Sequence, residues 1–385
     1  MTIYTFTSPN DLILEIPSNV RLQAHRTMQS FSNPTTQYQG YINELCLHTI
    51  LPWLREEFTP QAKVYPSDTE SVWELINGTV ITLNTKRFIL VPTEAMDLSE
   101  LRVPQEWVDI QNLTGDYYLS VYVEPDDNYV RIWGYCTHAQ LKTKGNYDPS
   151  DRTYSLSSSD IIEDISTLVL TYQICSEEAT KSPITPLPSL PLSQAQNLIS
   201  RLANPDILTP RLHIPFQLWG ALIEHGGWRQ SLYQQRLGLP EQWSILQWLQ
   251  SGVSQVAQNV GWQSLNMQLG AAGARNIEAS QASVMLSRRL AIAGQFYQFR
   301  IIPQNADDAT IWRFELRNAA VGAVIPGGFK LRLLTEDLQS FPNNEDIATT
   351  AVEQLFVEVA LEPGEGIVWE VEPKSENYDQ EILKF

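Results

Sequence analysis

At 385 residues, 43% hydrophobic and 18% charged, the chain is globular in composition and too long for one ordinary core, so two or three domains are expected. Its net charge of −18 is concentrated at the two ends: residues 1–180 carry 11 Lys+Arg against 24 Asp+Glu, residues 181–290 carry 8 against 4, and residues 291–385 carry 7 against 16. The acidic ends would repel phosphate backbones and anionic lipid, which argues against nucleic acid and membrane surfaces as partners, and no apolar run approaches the roughly 18 residues of a membrane helix.

In chain order, Met1–Asn10 has neither the basic nor the apolar region of a signal peptide. Asn33-Pro34 reads as a helix start. Tyr38, Tyr41, Ile42, Leu45 and Thr49 follow at helical spacing, and Pro52 is placed to kink the helix. Strands are expected at Val72–Ile76, Thr79–Leu83 and Arg87–Val91, with Asn77-Gly78 as a two-residue hairpin signal. A second hairpin joins Tyr117–Glu124 to Tyr129–Cys136 through Pro125-Asp126-Asp127-Asn128. Residues 1–180 therefore read as an α+β domain, one long helix on a twisted sheet.

Lys181–Ser193, KSPITPLPSLPLS, holds Pro183, Pro186, Pro188 and Pro191 and should be extended. It reads as a linker, with an SH3 or WW ligand as the alternative. Helical segments follow at Ser193–Leu202, at Phe216–Glu224 with Gly226-Gly227 as its stop, and at Glu241–Gln258. These make a central helical region over 194–285 that carries Trp219, Trp228, Trp243, Trp248 and Trp262; a loop is expected around Gly270. Residues 286–385 alternate with period two. Trp312, Phe314 and Leu316 oppose Arg313, Glu315 and Arg317, while Ile367, Trp369 and Val371 oppose Glu370 and Glu372. An antiparallel β-sandwich is expected there, completing an α+β multidomain chain.

The block Ile325–Pro373, together with the Asn33-Pro34 helix start, YVRIWGYCTHAQLKTKGNYDPSDRTYSL from Tyr129 and GWRQSLYQQRLGL from Gly227, resembles the family of domains of unknown function numbered eighteen twenty-two. The resemblance spans most of the chain and implies a cyanobacterial cytoplasmic protein. It brings no assigned activity, cofactor or catalytic residue.

The residues themselves show no convergent chemistry. His25, His48, His138, His213 and His225 lie at no metal-ligand spacing, and there is no P-loop, nucleophile elbow or strand-borne GxGxxG. Cys46, Cys136 and Cys175 form no CxxC, so neither a disulfide framework nor a zinc site is expected, and a reducing compartment fits. Gly270, Gly273 and Arg275 could form an anion nest, and the acidic stretches 126–128 and 343–346 could hold calcium; a loop and two turns are the plainer readings. A helix bearing Glu44 followed by a hairpin is similar to a nuclease core, but Ile81–Lys86 lacks the acid such a core needs, so that site would be dead.

No cofactor or metal is expected. The function expected is a non-enzymatic protein-interaction or regulatory module. The alternatives are a catalytically dead nuclease relic and a ligand- or carbohydrate-binding protein using the β-domain. The candidate contact residues are Arg211, Trp219, Trp228, Arg229, Tyr233 and Arg236, since Trp, Tyr and Arg dominate protein–protein hot spots. The reading preferred to external contact is that the same residues fasten the helical region to its two acidic neighbours, since five tryptophans so close together suggest a core.

Overall fold

The computed structural model describes residues 10–175, 178–266, 284–304, 311–375 and 378–385. Helices and sheets are mixed, with four sheets among the described residues. The chain forms two compact units: Met1–Leu190 with Gln194–Gly238, and Pro191–Ser193 with Leu239–Phe385. The sequence suggested a Pro-rich boundary and a separate helical region over 194–285. Instead the helices up to Arg236 belong to the first unit, because their buried faces carry the polar ties described below.

The first unit is built on a six-stranded sheet. In order across it run Leu12–Glu15, Tyr129–Thr137, Tyr117–Glu124, Lys86–Thr93, Thr79–Leu83 and Lys63–Tyr65. The pair Lys86–Thr93 and Tyr117–Glu124 is parallel; the rest are antiparallel. The long helix Pro34–Glu57 starts where expected. The Asn33 side chain accepts from the Thr35 and Thr36 amides, so two of the helix's open N–H groups are satisfied. Leu45, Ile50 and Leu54 are fully buried along it. The Tyr117–Thr137 hairpin also forms as read, with Asn128 at φ 60 in the turn.

Val72–Ile76, expected as a strand, instead lies in and just after a short helix, Thr69–Trp73. Every residue from 71 to 76 is buried, and so short a continuous apolar run has no period to distinguish strand from helix. Asn77-Gly78 is accordingly not a hairpin. It is a buried junction: the Gly78 amide donates to Asn43 Oδ1 at 3.0 Å, and Trp107 Nε1 donates to Asn77 O at 2.7 Å. Gly78 sits at φ +114, with Trp107 Nε1 only 2.8 Å from where a Cβ would lie, so glycine is needed there. The hairpin that does form turns at Asn84-Thr85, with Asn84 at φ 52.

The Pro-rich stretch has no helix or strand before Leu192, as its prolines require, yet it is not a free tether. Thr180 Oγ1 donates to Asp116 at 2.6 Å, the Ser182 amide donates to His138 Nδ1 at 3.0 Å, and Leu190 is buried. The helix Phe216–Glu224 has the bounds expected and ends at His225, and Gly226-Gly227 then opens a second helix, Gly226–Arg236, where the His225 ring accepts from the Trp228 amide.

The second unit holds two antiparallel sheets. One runs Trp262–Asn266, Val284–Ile292, Gln295–Pro303, Ile311–Asn318, Gln354–Ala360; the other runs Glu345–Ile347, Lys330–Thr335, Gly366–Glu372, Ile382–Lys384. Inward residues of both, among them Phe299, Phe314, Leu333 and Trp369, share one core. Glu241–Gln258, expected as one helix, is two: Ile245–Ser251 and Gln255–Asn259, split at Gly252 with φ +93. The first of the two sheets also begins inside what was read as the helical region. Gly270, Gly273 and Arg275 lie outside the described residues.

Candidate functional site

The six residues singled out by composition are spent inside the first unit. Arg211 clamps the fully buried Glu106, its Nε donating to Oε1 at 2.8 Å and its Nη2 to Oε2 at 2.6 Å, while Trp219 Nε1 donates to the same Oε1 at 2.8 Å. Arg236 and Glu74 form a pair with both side chains at 0% exposure, 2.6 Å apart, and the remaining Arg236 nitrogens donate to the carbonyls of Leu202, Asn204 and Ile207. Buried Arg229 donates to Ile223 O at 3.0 Å, Trp228 stacks on His225, and Tyr233 donates to Ser30 O at 2.8 Å. Trp219, Trp228, Arg229, Tyr233 and Arg236 are buried and Arg211 is half-buried. Arg211 and Arg236, from the mildly basic middle of the chain, thus meet internal acids, the fastening role that the sequence left open beside external contact.

Glu44 is also buried and accepts from Gln23 at 2.7 Å, with His48 at 3.2 Å. The strands Thr79–Leu83 and Lys86–Thr93 supply no carboxylate beside it. Among the described residues no group of three or more His, Cys, Asp or Glu could hold a metal ion. The stretch 126–128 is a hairpin turn with Asp126 and Asp127 exposed, and the stretch 343–346 is a turn and sheet edge whose side chains are engaged. Asn344 Nδ2 donates to Leu333 O, Glu345 pairs with Arg332 at 2.9 Å, and Asp346 accepts from the Phe356 amide at 2.9 Å.

A separate group of arginines lies on the outer face of the five-stranded sheet. Strict alternation puts them there. In Val284–Ile292, Leu286, Arg288 and Leu290 turn inward and Arg289 outward; in Ile311–Asn318, Phe314 and Leu316 turn inward and Arg313, Glu315 and Arg317 outward. The register then aligns rows across the strands: Arg300 opposite Glu315, Glu315 opposite Phe356, Arg289 opposite Gln298, Arg317 opposite both Gln298 and Gln354, and Arg313 opposite Glu358.

Three guanidinium groups converge on one carboxylate. Glu315, 4% exposed, lies 2.5 Å from Arg317 Nε, 3.4 Å from Arg313 Nε and 3.5 Å from Arg300 Nη1. Arg313 also reaches Glu358 at 3.2 Å. Arg300, Arg313 and Arg317 thus meet two carboxylates on this face, in a stretch of chain that is otherwise strongly acidic. Burial, and the neighbouring Arg317, pull the Arg300 guanidinium below the ordinary arginine range against the opposing pull of Glu315. Two arginines also lie on exposed rings, Arg289 at 3.7 Å from the Phe296 centroid and Arg313 at 3.8 Å from that of Phe356. The arrangement offers fixed, partly desolvated forks with apolar backing, which suits carboxylate recognition. The sequence signal was present in the alternation of 312–317. Its extension to Arg289 is blurred in sequence, because Ser287 and Arg288 are polar yet buried and break the alternation of Val284–Ile292.

A family model described as "protein of unknown function (DUF1822)" matches residues 14–384. No curated protein and no solved structure matches the chain.

Proposed function

The chain belongs to the DUF1822 family of proteins of unknown function, and from that premise we propose that it is a non-enzymatic protein-interaction module whose contact surface is the arginine-bearing sheet face of its second unit. The observation that carries this is the convergence of Arg300, Arg313 and Arg317 on the single buried Glu315. Positive charge in excess of its internal partners is compensated best by acidic groups from outside, and stacked Arg–Phe pairs bury well at interfaces. The partner implied is an acidic protein segment. A sugar-binding role fits less well, because Arg289 and Arg313 already cover the rings of Phe296 and Phe356. The second unit's two sheets around one core support its reading as a sandwich. Free cysteines at 46, 136 and 175 fit a reducing cytoplasm, and among the described residues no helix is long and apolar enough to cross a membrane.

The test is titration of the full chain with poly-L-glutamate. Binding that weakens with salt and is lost in Arg289→Glu/Arg313→Glu with an unchanged melting temperature supports the reading. Equal binding by the variant sinks it.

A further inference from the structure

Beside the arginine face lies a groove of about 410 Å³, walled by Arg300, Arg317 and Gln298 on one side and by the loop Asn318–Val324 on the other. This volume is near the lower end of small-ligand sites, roughly 300–1,000 Å³, so it takes a side chain and its neighbour rather than a folded element.

The groove is built rather than incidental. Gln298 Oε1 accepts from both Arg300 Nε at 3.0 Å and Nη2 at 2.5 Å, which fixes that guanidinium's plane. Arg317 is held by Glu315 from within the sheet and by Gln354 from the next strand. The opposite wall is braced by Asn318, whose Oδ1 accepts from the Ala320 amide at 3.0 Å and whose Nδ2 donates to Val324 O at 3.1 Å. Gly322, at φ +75, turns the loop. The wall so held is small and apolar: Ala319, Ala320, Ala323 and Val324, with Val321 wholly exposed at its tip.

Resting on the interaction reading above, we propose that this groove anchors one carboxylate of the acidic partner, an aspartate or glutamate side chain followed by a small apolar residue. The carboxylate is held by the Arg300 and Arg317 guanidinium groups, and the apolar neighbour lies against the alanines of the loop. Charge complementarity selects the occupant. Arg300 and Arg317 share Glu315 between them, so an arriving anion completes a pairing that the sheet leaves short. The Nε–Nη2 edges of both guanidinium groups are taken by Gln298, Glu315 and Gln354, so the arriving carboxylate meets the outward hydrogens of Arg300 Nη1 and of Arg317 Nη1 in charge-assisted contact. Glu353, also on the groove wall, repels a second acid at that side and so sets the direction in which the partner's remaining acids run.

The experiment is nuclear magnetic resonance of the full chain with N-acetyl-glutamyl-alanyl-valinamide, with the glutaminyl analogue and with inorganic phosphate. The glutamyl peptide should shift the Arg300 and Arg317 side-chain Nε signals and the amides of 319–324. The analogue should bind about tenfold more weakly or worse, as loss of a charged hydrogen-bond partner implies. Arg317→Met should abolish the discrimination. Equal shifts from both peptides, no shift at these signals, or stronger shifts from phosphate would each overturn the carboxylate anchor. Poly-L-glutamate separates the two claims. If it still binds through Arg289 and Arg313 while Arg317→Met changes nothing, the anchor fails and the face stands. If it does not bind wild type, both fall.

Discussion

Arginine has opposite fates in two regions, the buried helical faces of the first unit and the outer sheet face of the second, although Arg288 of the second unit is itself sealed against Glu381. In the first, Arg236 and Glu74 are both sealed from solvent and Arg211 pairs two-pronged with Glu106; each guanidinium has its own carboxylate, and backbone carbonyls take the spare donors. In the second, Arg300, Arg313 and Arg317 stay partly exposed around a single Glu315. Residue type is the same in both places. What separates a fastening from a binding surface is the number of acids per arginine and whether the donors are used up. A buried pair gains little over an apolar substitute but is costly to break, whereas an exposed cluster contributes little to folding and keeps its charge for a partner.

The largest expected effect comes from breaking a fastening. Arg236→Met strands Glu74 in the interior and should cost about 3–5 kcal/mol in chemical denaturation; a loss below about 1 kcal/mol would show that the pair is not sealed. Trp369→Ala removes a fully buried ring that stacks on Phe299 at 4.2 Å and donates to Glu381 at 2.9 Å, and should likewise cost about 3–5 kcal/mol. Its neighbour Glu370 points to the opposite face, so Glu370→Ala should cost under about 0.5 kcal/mol. Equal losses at the two positions would mean the strand register is wrong.

A smaller, pH-dependent effect belongs to the first unit. Burial, then the charge of Asp68, raises the Glu70 carboxyl from 4.5 to about 7. The folded chain therefore keeps a proton that the unfolded chain releases. This contribution to stability is fully present below about 4.5 and is lost as pH rises through about 7. Glu70→Gln should flatten that part of the stability–pH curve; an unchanged slope would place the group in water. The smallest effect on folding is expected at the sheet face, where Arg313→Met should change stability by no more than about 1 kcal/mol while weakening poly-L-glutamate binding.

Much of the architecture was legible because it rests on local chemistry. Asn33-Pro34 announces its helix through a cap, and Ile367, Trp369 and Val371 announce a half-buried strand through alternation. What was not legible depends on distant residues. Val72–Ile76 is buried throughout and so carries no period, and Asn77-Gly78 looks like a hairpin only until Asn43 and Trp107 arrive from 34 and 30 residues away. The site failed for the same reason. Arg236 and Arg313 look alike in sequence. Only the fold shows that Glu74 awaits the first, 162 residues away, and that the second must share Glu315 with its neighbours.

Arginine labelling with phenylglyoxal, read residue by residue by mass spectrometry with and without poly-L-glutamate, tests that contrast most directly. The account predicts that Arg289, Arg313 and Arg317 label in the free chain and are protected by the polyanion, while Arg229 and Arg236 stay unlabelled until the protein unfolds. Ready labelling of Arg229 and Arg236 in the folded chain, or protection that falls on them instead of on the sheet face, would contradict it.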